Sequence, residues 1–357
     1  MTSSVLTHDK RFWFHGASVG DLMALRPIVS GIEAHTPHPH CVTFWSPEAR
    51  RIASNVYPNA SVQRAPLPIR PFVNGFVRDH KIDVCVLEYL ELYPGWVNAI
   101  THRNKRIGVV NGRVTHRSLR IKRILRESAG KLDFFWAQSA RDAEYAETLG
   151  VRPSVIEVLG STKYDRLLHD RVPCSKSLRL SLGEFSVVVG SLHPDEEQSL
   201  CTALRGFKGR VLIAPRYLKR VKGLLRRLQQ DHSHVCVRSA SNPKAAQFVI
   251  LDSIGELHAA YGLAKVAIIG GTFGQRNGQN LMEPISMGSS VIFGPKTDKI
   301  FDQVDALLRL GVKPVRTFEQ AITIAAHQDF VPCSINALKQ SFPPCASRIV
   351  TRLLQGG

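Results

Sequence analysis

The sequence predicts an α/β protein built from two open parallel-sheet domains that face each other across a cleft. Short apolar runs alternate with helical patterns along the chain, which is typical of parallel strands joined by crossover helices. The length of 357 residues suits two domains, because one domain usually takes about 150 residues. A polar stretch with a proline and no apolar period, LHDRVPCSKS at 168–177, separates the two halves.

The individual elements follow from the apolar runs and their spacing. In the first half these runs predict strands at 11–15, 40–45, 83–88, 106–111, 133–137 and 155–159. In the second half they predict strands at 186–191, 210–214, 233–237, 247–251, 265–270 and 290–293. Between strands, apolar residues recur at helical spacing, as at Leu22, Leu25, Val29 and Ile32. We therefore predict an N-terminal domain at 1–168, a C-terminal domain at 178–335, and a tail at 336–357 that packs back on the N-terminal domain.

The composition limits the classes of partner. Lys and Arg outnumber Asp and Glu by 47 to 29, a net charge of +18, so we expect an anionic partner such as a phosphorylated substrate or an anionic membrane surface. Nucleic acid is disfavoured because the sequence contains none of the usual nucleic-acid-binding motifs. The seven cysteines form no C-x-x-C pair, which predicts reduced thiols, a cytoplasmic protein and no metal site. No apolar run reaches the roughly 18 residues of a membrane span, so any membrane contact is expected to be peripheral.

Functional residues are expected on the loops that follow strands, because ligands of open α/β sheets bind there. In FHGASVGD (14–21), Asp21 follows the first predicted strand and lies beside Gly16 and Gly20. Two interpretations of Asp21 are open. Either it caps the following helix, or it lies at the edge of an active site, where glycines let a ligand approach the backbone.

A second pair of carboxylates lies at the end of the predicted strand 83–88. Glu88 and Glu91 occur in VCVLEYLELYPGW, where a buried and unpaired carboxylate would be costly. The alternative is the solvated start of a loop. Because a general base must accept a proton within reach of the nucleophile, Asp21 and Glu91 are the best catalytic candidates by position.

The segment IIGGTFGQRNGQNLMEPISMG (268–288) is the most informative stretch of the chain. Its glycines follow a predicted strand and precede a helix predicted to begin near Asn280, an arrangement that binds anions through backbone N–H groups and the helix dipole. It matches neither the Walker nor the Rossmann glycine pattern. Glu283, one turn into the helix, can reach sugar hydroxyls beside a phosphate, and a purely structural loop is the alternative.

Three further predicted strand ends offer polar groups, and two stretches are strongly basic. The strand-end residues are Ser191 with His193, Arg216, and Gly255 with Glu256. Together with the glycine-rich segment they predict a nucleotide-sugar pocket. The basic stretches, 113–126 and 215–227, are either solvated helix faces or binding sites for phosphate or anionic lipid.

These motifs, taken in order, resemble those of the 3-deoxy-D-manno-octulosonic acid (Kdo) transferases, which add Kdo from CMP-Kdo to a lipid A precursor. The matching stretches are HGASVGD (15–21), LELYP (90–94), NGRVTHRS (111–118), GSTKYD (160–165), SLHPDEE (191–197), PRYLKR (215–220), GELHAAY (255–261), GGTFGQRNGQNLMEP (270–284) and FGP (293–295). The resemblance implies a glycosyltransferase-B fold of two Rossmann-like domains, with the acceptor on the first and CMP-Kdo on the second. It also implies inversion at the anomeric carbon without a metal or other cofactor.

The resemblance assigns roles to residues of this chain, position by position. Asp21 takes the position of the catalytic base, and Glu91 takes that of a second essential acid. The donor-binding positions are those of Ser191, Arg216, Gly255, Glu256, Gly271, Asn280 and Glu283. The motif positions assigned to the acceptor are those of Ser18, Arg113, Arg117 and Lys163.

The chain departs from the family pattern in several places. Asp21 stands where the family usually has Glu, which withdraws the carboxylate by about one C–C bond, and a displacement of ~1 Å can cost 10²-fold in rate. Tyr217 replaces the usual His, and Tyr93 replaces the usual Trp. The usual N-terminal membrane-anchoring segment has no counterpart, so basic residues are expected to attract the chain to anionic lipid instead.

The function expected from the resemblance is transfer of Kdo to a phosphorylated lipid A precursor in lipopolysaccharide biosynthesis. The expected location is the cytoplasmic face of the inner membrane. Two alternatives remain open: another nucleotide-sugar transferase or epimerase of the same fold, and a non-catalytic paralogue that binds CMP or another anion.

Overall fold

The computed structural model describes residues 10–169 and 176–355, except the side chains of residues 116, 117, 166 and 169. Of the described residues, 10–166 and 342–355 form one compact unit, and those between 167 and 341 form a second. The predicted separation at 168–177 falls mostly on residues 170–175, which lie outside the described residues.

The first unit is built around a parallel sheet. Within the described residues its strands are β1 (Phe12–His15), β2 (Cys41–Phe44), β3 (Ser61–Arg64), β4 (Val84–Glu88), β5 (Arg106–Gly112), β6 (Phe134–Ala137) and β7 (Ile156–Val158). They lie in the order β3-β2-β1-β4-β5-β6-β7, and all neighbouring strands are parallel. Strands β1 and β4 at the centre are fully buried, as expected where helices cover both faces of a parallel sheet.

Helices join these strands. They are α1 (Val19–Glu33), α2 (Pro47–Val56), α3 (Arg70–Asp79), α4 (Pro94–Thr101), α5 (His116–Arg120), α6 (Lys122–Gly130), α7 (Ala140–Leu149) and α8 (Thr162–Tyr164), with a 3₁₀ turn at Pro153–Val155 and a π-helical turn at Asp165–His169. Helix α1 buries the apolar face that the spacing predicted, from Leu22 to Ile32. Its burial against the sheet fixes the position of the loop that precedes it.

The second unit repeats this architecture. Its described strands are β8 (Val187–Leu192), β9 (Val211–Pro215), β10 (Val235–Val237), β11 (Phe248–Ile250), β12 (Val266–Ile269) and β13 (Ser290–Phe293). Their order is β10-β11-β9-β8-β12-β13, again with parallel neighbours. The helices are α9 (Lys176–Leu182), α10 (Glu197–Ala203), α11 (Val221–Gln229), α12 (Leu257–Tyr261), α13 (Met282–Ser286), α14 (Phe301–Arg309), α15 (Phe318–His327) and α16 (Ile335–Ser341), with 3₁₀ turns at Leu218–Arg220, Pro243–Ala245 and Asp298–Ile300.

The last helix, α17 (Ala346–Gln355), packs against α1 in the first unit. Ile349, Val350 and Leu353 are buried in the core cluster that contains the apolar face of α1. Gly31 permits the close approach, because a Cβ atom at this position would lie 2.6 Å from Cγ2 of Val350. The tail is anchored at its start by Asp165, whose Oδ2 accepts hydrogen bonds from the amides of Cys345 and Ala346 at 2.9 and 2.7 Å.

The predicted α/β fold class is confirmed, and each predicted strand is present with its ends shifted by at most two residues. Strand β3 was not predicted, because SVQR contains no apolar run and lies at the exposed edge of the sheet. Among residues 10–169 and 176–355, no helix combines the length and the apolar character needed to cross a bilayer.

Candidate functional site

The strand order of each sheet indicates where a ligand would bind. In the first sheet the order reverses between β1 and β4, and in the second it reverses between β8 and β12. At such a switch point the loops leave neighbouring strands in opposite directions, and a crevice opens at the carboxyl ends. The predicted catalytic residues follow β1 and β4. Of the predicted donor-binding residues, Ser191 lies near the end of β8, and Gly271, Asn280 and Glu283 follow β12.

Asp21 lies in the first turn of α1, immediately after β1. Its Oδ2 accepts hydrogen bonds from the amide and the hydroxyl of Ser18 at 2.9 and 2.7 Å. The hydroxyl of Ser18 in turn accepts from the amide of Asp21 at 3.4 Å, which completes a capping box. Ser18 is therefore the N-cap of α1, and Asp21 supports the cap with one carboxylate oxygen. The Asp21 side chain remains 16% exposed.

Lys163 brings a positive charge to the second oxygen of Asp21. Its Nζ lies 3.9 Å from Oδ1 of Asp21. The same ammonium group lies 4.0 Å from the centre of the Tyr89 ring and contacts the Tyr89 hydroxyl. The structure thus brings together Asp21 and Lys163, two candidates that lie far apart in the sequence and were not predicted to be neighbours.

Glu88, at the end of β4, is fully buried close to this group. Its Oε2 accepts a hydrogen bond from the Asn111 side chain at 2.8 Å, and Asn111 is held by the amide of Thr162 at 2.9 Å. Among the described residues, Oε1 of Glu88 has no partner. Burial raises the pKa of Glu88 to about 8, although the charge of Lys163 and the bond from Asn111 oppose the shift. Burial therefore favours the protonated form of Glu88 at neutral pH.

Glu91 lies half-buried on the loop after β4. The Tyr93 hydroxyl donates to its Oε2 at 2.6 Å. Burial raises the pKa of Glu91, the bond from Tyr93 lowers it, and the negative charge of Asp21 raises it further. The negative charge of Asp21 therefore acts on the Glu91 carboxyl group, as expected when two carboxylates lie in one site.

The residues predicted for the acceptor are only partly brought together. Ser18 is exposed beside Asp21, and Lys163 completes that group. Arg113 is half-buried between β5 and α5. The side chain of Arg117 lies outside the described part of the chain.

In the second unit, Ser191 lies near the end of β8, and Arg216 follows the neighbouring strand β9. Ser191 has a left-handed backbone, with φ of 54°. Next to it, His193 is buried, and burial lowers its pKa. Arg216 is exposed, its amide donates to the carbonyl of Leu192 at 2.8 Å, and within the described residues its guanidinium group forms no ion pair. An exposed and unpaired guanidinium group is well suited to a phosphate.

Gly255 and Glu256 form the turn before α12. Gly255 has φ of 91°, and no atom lies within 4 Å of the place a Cβ would occupy. The carboxylate of Glu256 lies 3.4 Å from the Arg238 guanidinium group and accepts from the Ser253 hydroxyl. The space beside Gly255 is therefore open to a ligand, whereas the Glu256 side chain is held by Arg238 and Ser253.

The glycine-rich loop differs from the expectation. Its first amides do not point to an open anion site, because the Glu196 carboxylate accepts from the amides of Gly271, Phe273 and Gly274 at 2.7, 3.0 and 3.0 Å. The amide of Gln275 donates to Oδ2 of Asp195 at 3.0 Å. The predicted anion site of the Gly271 amide is therefore filled by the protein itself.

The end of the same loop carries Asn280 and Glu283. Helix α13 begins at Met282, two residues later than predicted, because Oδ1 of Asn280 accepts from the Met282 amide at 2.9 Å and terminates the loop. The Asn280 side-chain amide donates to Oε1 of Glu283 at 3.2 Å. The two predicted donor-binding residues thus form one pair.

Sequence reasoning noted Glu88 beside Glu91 but did not select it as a site residue, and it overlooked Glu196. The partners of both come from distant parts of the chain, so the only local signal for Glu196 was the acidic run in SLHPDEE. Within the described residues, no group of three or more His, Cys, Asp or Glu side chains is arranged to hold a metal ion.

Two doubly wound parallel-sheet units with polar residues at their switch points define an α/β protein of the glycosyltransferase-B type. Solved structures share this fold. UDP-GlcNAc 2-epimerase from Neisseria meningitidis, bound to UDP-GlcNAc, matches 97% of this chain and 100% of its own with a TM-score of 0.69 and 12% identity. The UDP-GlcNAc 2-epimerase from Methanocaldococcus jannaschii matches the same shares with a TM-score of 0.70 and 13% identity.

Sequence relatives identify the family. The profile of the family described as 3-Deoxy-D-manno-octulosonic-acid transferase (kdotransferase) matches residues 2–166. The 3-deoxy-D-manno-octulosonic acid transferase of Chlamydophila psittaci is 30% identical over 322 residues, which are 84% of this chain and 72% of the relative. The enzyme of the same name from Rickettsia bellii is 26% identical over 84% of this chain and 75% of its own. This chain belongs to the 3-deoxy-D-manno-octulosonic acid transferase family and is a glycosyltransferase.

A longer relative has a second activity in its name. The bifunctional glycosyltransferase/methyltransferase of Fusobacterium nucleatum is 26% identical over 351 residues. The match covers 89% of this chain, but the chain spans only 53% of that relative's length.

Proposed function

We propose that this protein transfers Kdo from CMP-Kdo to a phosphorylated lipid A precursor with inversion at the anomeric carbon, as part of lipopolysaccharide biosynthesis. Membership of the family supports the reaction class. The observation in this structure that supports it best is the Asp21 carboxylate, which is held at the switch point of the first sheet with one oxygen fixed by Ser18 and the other 3.9 Å from Lys163.

Asp21 acts as the general base in this proposal. The acceptor hydroxyl loses its proton to Oδ1 of Asp21 while its oxygen forms a bond to the anomeric carbon of Kdo. The bond between that carbon and the phosphate oxygen breaks, and CMP leaves with the electron pair. Lys163 holds a positive charge 3.9 Å from Oδ1 of Asp21, and Ser18 restricts the carboxylate to one orientation. Glu91, whose pKa is raised in part by the negative charge of Asp21, is the second acid of the site.

The donor is proposed to bind the second unit. The exposed guanidinium group of Arg216 is free among the described residues to meet the phosphate of CMP. The Asn280 and Glu283 pair offers an amide and a carboxylate to the ribose hydroxyls. Ser191 and the open turn at Gly255 complete the set of proposed donor contacts. Stabilisation of the departing phosphate charge by fixed donors is usually the largest catalytic contribution.

The acceptor is an anionic lipid, and the first unit offers a surface for an anionic membrane. All residues of the segment LPIRPF at 67–72 are exposed, and the side chains of Leu67, Ile69 and Phe72 are 51, 52 and 56% exposed. Exposed apolar side chains next to a basic residue such as Arg70 are typical of interfacial membrane binding. We place the enzyme on the cytoplasmic face of the inner membrane through this segment.

Helices α5 and α6 of the first unit add a second surface of the same kind. Ile121 and Ile124 are 45 and 66% exposed, and Lys122 and Arg123 lie exposed beside them. Each basic residue near an anionic bilayer contributes about 1 kcal/mol of attraction. Residues 121–124 of the basic stretch 113–126 are thereby interpreted as a lipid-facing surface rather than a solvated face.

Purified protein, CMP-Kdo and a tetraacylated lipid A precursor provide the test, with the products analysed by mass spectrometry. We expect a lipid product heavier by one or more Kdo residues, with release of CMP. A lipid mass that stays unchanged under conditions in which a known Kdo transferase is active would contradict the proposal.

The donor nucleotide is tested separately by thermal unfolding. CMP, which binds only the folded protein, should raise the unfolding temperature, and UDP should not. Protection by UDP alone would favour a UDP-sugar transferase or epimerase. Protection by CMP without transfer to any acceptor would favour a non-catalytic binder.

A further inference from the structure

Glu196 is a buried carboxylate that lies inside the loop expected to bind phosphate. Its side chain belongs to a residue only 2% exposed. Oε1 accepts from the amides of Phe273 and Gly274, each at 3.0 Å, and Oε2 accepts from the amides of Gly271 and His193 at 2.7 and 3.0 Å. Four backbone N–H groups converging on one carboxylate form the kind of concave site that elsewhere binds a free anion.

Two glycines of this loop lie close to the carboxylates. A Cβ atom at Gly270 would lie 2.7 Å from the carbonyl oxygen of Ser191 and 2.9 Å from Oε2 of Glu196, and one at Gly274 would lie 2.3 Å from Oδ2 of Asp195. A larger residue at either position would therefore displace the loop from its contacts with the rest of the protein. Close packing within the protein thus accounts for these two glycines without a bound phosphate.

We propose that Glu196 is a positioning residue that acts as a built-in anion, holding the 270–275 bend so that Asn280 and Glu283 are correctly placed for the nucleotide. This inference rests on the proposed donor site of the second unit. It assigns the phosphate of the donor to side chains such as Arg216 rather than to the amides of the bend.

The bend is connected to the nucleotide residues by short-range contacts. The amide of Gly278 donates to the carbonyl of Gly271 at 2.9 Å. The Gln279 side chain lies 3.3 Å from Nε2 of His193, whose own amide is held by Glu196. Because Asn280 lies two residues after Gly278, a displacement of the bend would also displace Asn280. A displacement of a binding side chain by about 1 Å can lower both ligand affinity and reaction rate.

The variant Glu196→Gln tests the proposal. It keeps the size of the side chain but turns an NH₂ group toward amides that need an acceptor, which leaves buried N–H groups unsatisfied. We expect hydrogen exchange at the amides of Gly271, Phe273 and Gly274 to become at least about tenfold faster through local opening. We also expect KM for CMP-Kdo to rise by about tenfold while kcat changes by less than about threefold, the signature of lost ground-state binding.

A matched control is available in the next residue. Glu197 is also buried, but its carboxylate accepts from Arg220 at 2.9 and 2.7 Å and from none of the bend amides. Glu197→Gln removes a charge from the same helix end, so it should lower stability without changing the exchange of the bend or KM for the donor. If Glu196→Gln does not fold, Glu196→Asp takes its place, because it keeps the charge but is one methylene too short to reach all four amides.

The exchange measurement needs neither substrate nor activity. Failure of the proposed function would show in the wild type, which would then neither bind CMP nor transfer Kdo. Failure of this inference would show only in the comparison of variants. Hydrogen exchange of the bend amides at the wild-type rate in Glu196→Gln would overturn the positioning role. Faster exchange with an unchanged KM for the donor would overturn it as well. Equal effects in Glu197→Gln would also overturn it, because they would show general destabilisation.

Discussion

Asp21 and Glu88 carry carboxyl groups in opposite environments within the same unit. Asp21 is partly exposed, accepts two hydrogen bonds from Ser18 and lies near the Lys163 ammonium group. Glu88 is fully buried and accepts one bond from Asn111. Burial favours the neutral acid of Glu88 and raises its pKa. The proposed mechanism assigns proton acceptance to Asp21, which is the more accessible of the two carboxyl groups.

Glu88 makes stability depend on pH. Burial raises its pKa to about 8 in the folded protein, so between its ordinary pKa of about 4.5 and 8 only the unfolded chain releases this proton. The free energy of unfolding should therefore fall as the pH rises through this window, by up to about 1.4 kcal/mol per pH unit from this group. Glu88→Gln cannot ionise and keeps an oxygen for Asn111, so it should lose this decrease. Urea unfolding between pH 5 and 8 measures it.

Glu147→Gln is the control for that measurement, because Glu147 is exposed on α7. It should show the pH dependence of the wild type. If Glu88→Gln also retained the wild-type decrease in stability, Glu88 would already be ionised at pH 5 and the description of its environment would be wrong.

Side chains whose chemistry depends on local sequence could be predicted, and those that depend on distant partners could not. Asp21 and Glu91 were predicted as candidates because they follow apolar runs that end in loops. Glu196 was missed because its amide partners Gly271, Phe273 and Gly274 are 75 to 78 residues away along the chain. A glycine-rich sequence cannot reveal whether its amides face a ligand or a carboxylate of the same protein.

Strands were predicted where burial gives them an apolar sequence. The fully buried β1, β4, β12 and β13 each stand out as apolar runs. Strand β3 lies at the sheet edge, is exposed at both ends, and pairs with β2 through its backbone. Because backbone pairing places little demand on side chains at an edge, its sequence resembles a loop. The start of α13 was misplaced for a similar reason, since a side chain of Asn280 decides where the loop ends.

The contact between α1 and α17 gives a prediction for Gly31. Gly31→Ala would place a Cβ atom 2.6 Å from Cγ2 of Val350, so it should destabilise the first unit by about 1–3 kcal/mol through overpacking. Adding Val350→Ala to the Gly31→Ala protein should recover part of the loss, because the clashing methyl group is removed. Urea unfolding of the single and double variants measures this coupling.

Gly75→Ala is the matched control for that helix contact. Gly75 lies inside α3, and a Cβ atom there would meet nothing within 4 Å. The substitution should stabilise the protein by about 0.5–1 kcal/mol, since Ala is the better helix former. Equal stabilisation by Gly31→Ala would contradict the described packing of α17 on α1.

In the proposed membrane attachment, the net charge of the sequence and its exposed apolar segment act together. The net charge of +18 would attract anionic lipid at long range, with an attraction that weakens with salt, and the exposed apolar residues at 67–72 would then insert into the interface. The electrostatic part of this proposal comes from composition, whereas the apolar part required knowledge of which apolar residues are exposed.

The double variant Ile69→Ser and Phe72→Ser tests this surface. It should weaken binding to vesicles that contain anionic phospholipid by about tenfold, because about 25 cal/mol is lost for each Å² of apolar area withheld from the membrane. Sedimentation with vesicles measures the binding. As a control, Leu180→Ser and Leu308→Ser remove two other exposed leucines, 69 and 46% exposed, from the second unit, and should leave binding unchanged. Equal weakening by both double variants would exclude a specific role for 67–72.

Asp21→Asn provides the most direct test that Asp21 accepts the proton in Kdo transfer. Asn keeps an oxygen for the Ser18 amide, so α1 should remain capped, but it cannot act as a base. We predict a fall in kcat of at least about 10²-fold, with CMP affinity within about twofold of wild type, and no change for Glu48→Gln, an exposed acid in the first turn of α2. An Asp21→Asn protein that transfers Kdo at the wild-type rate would contradict the mechanism.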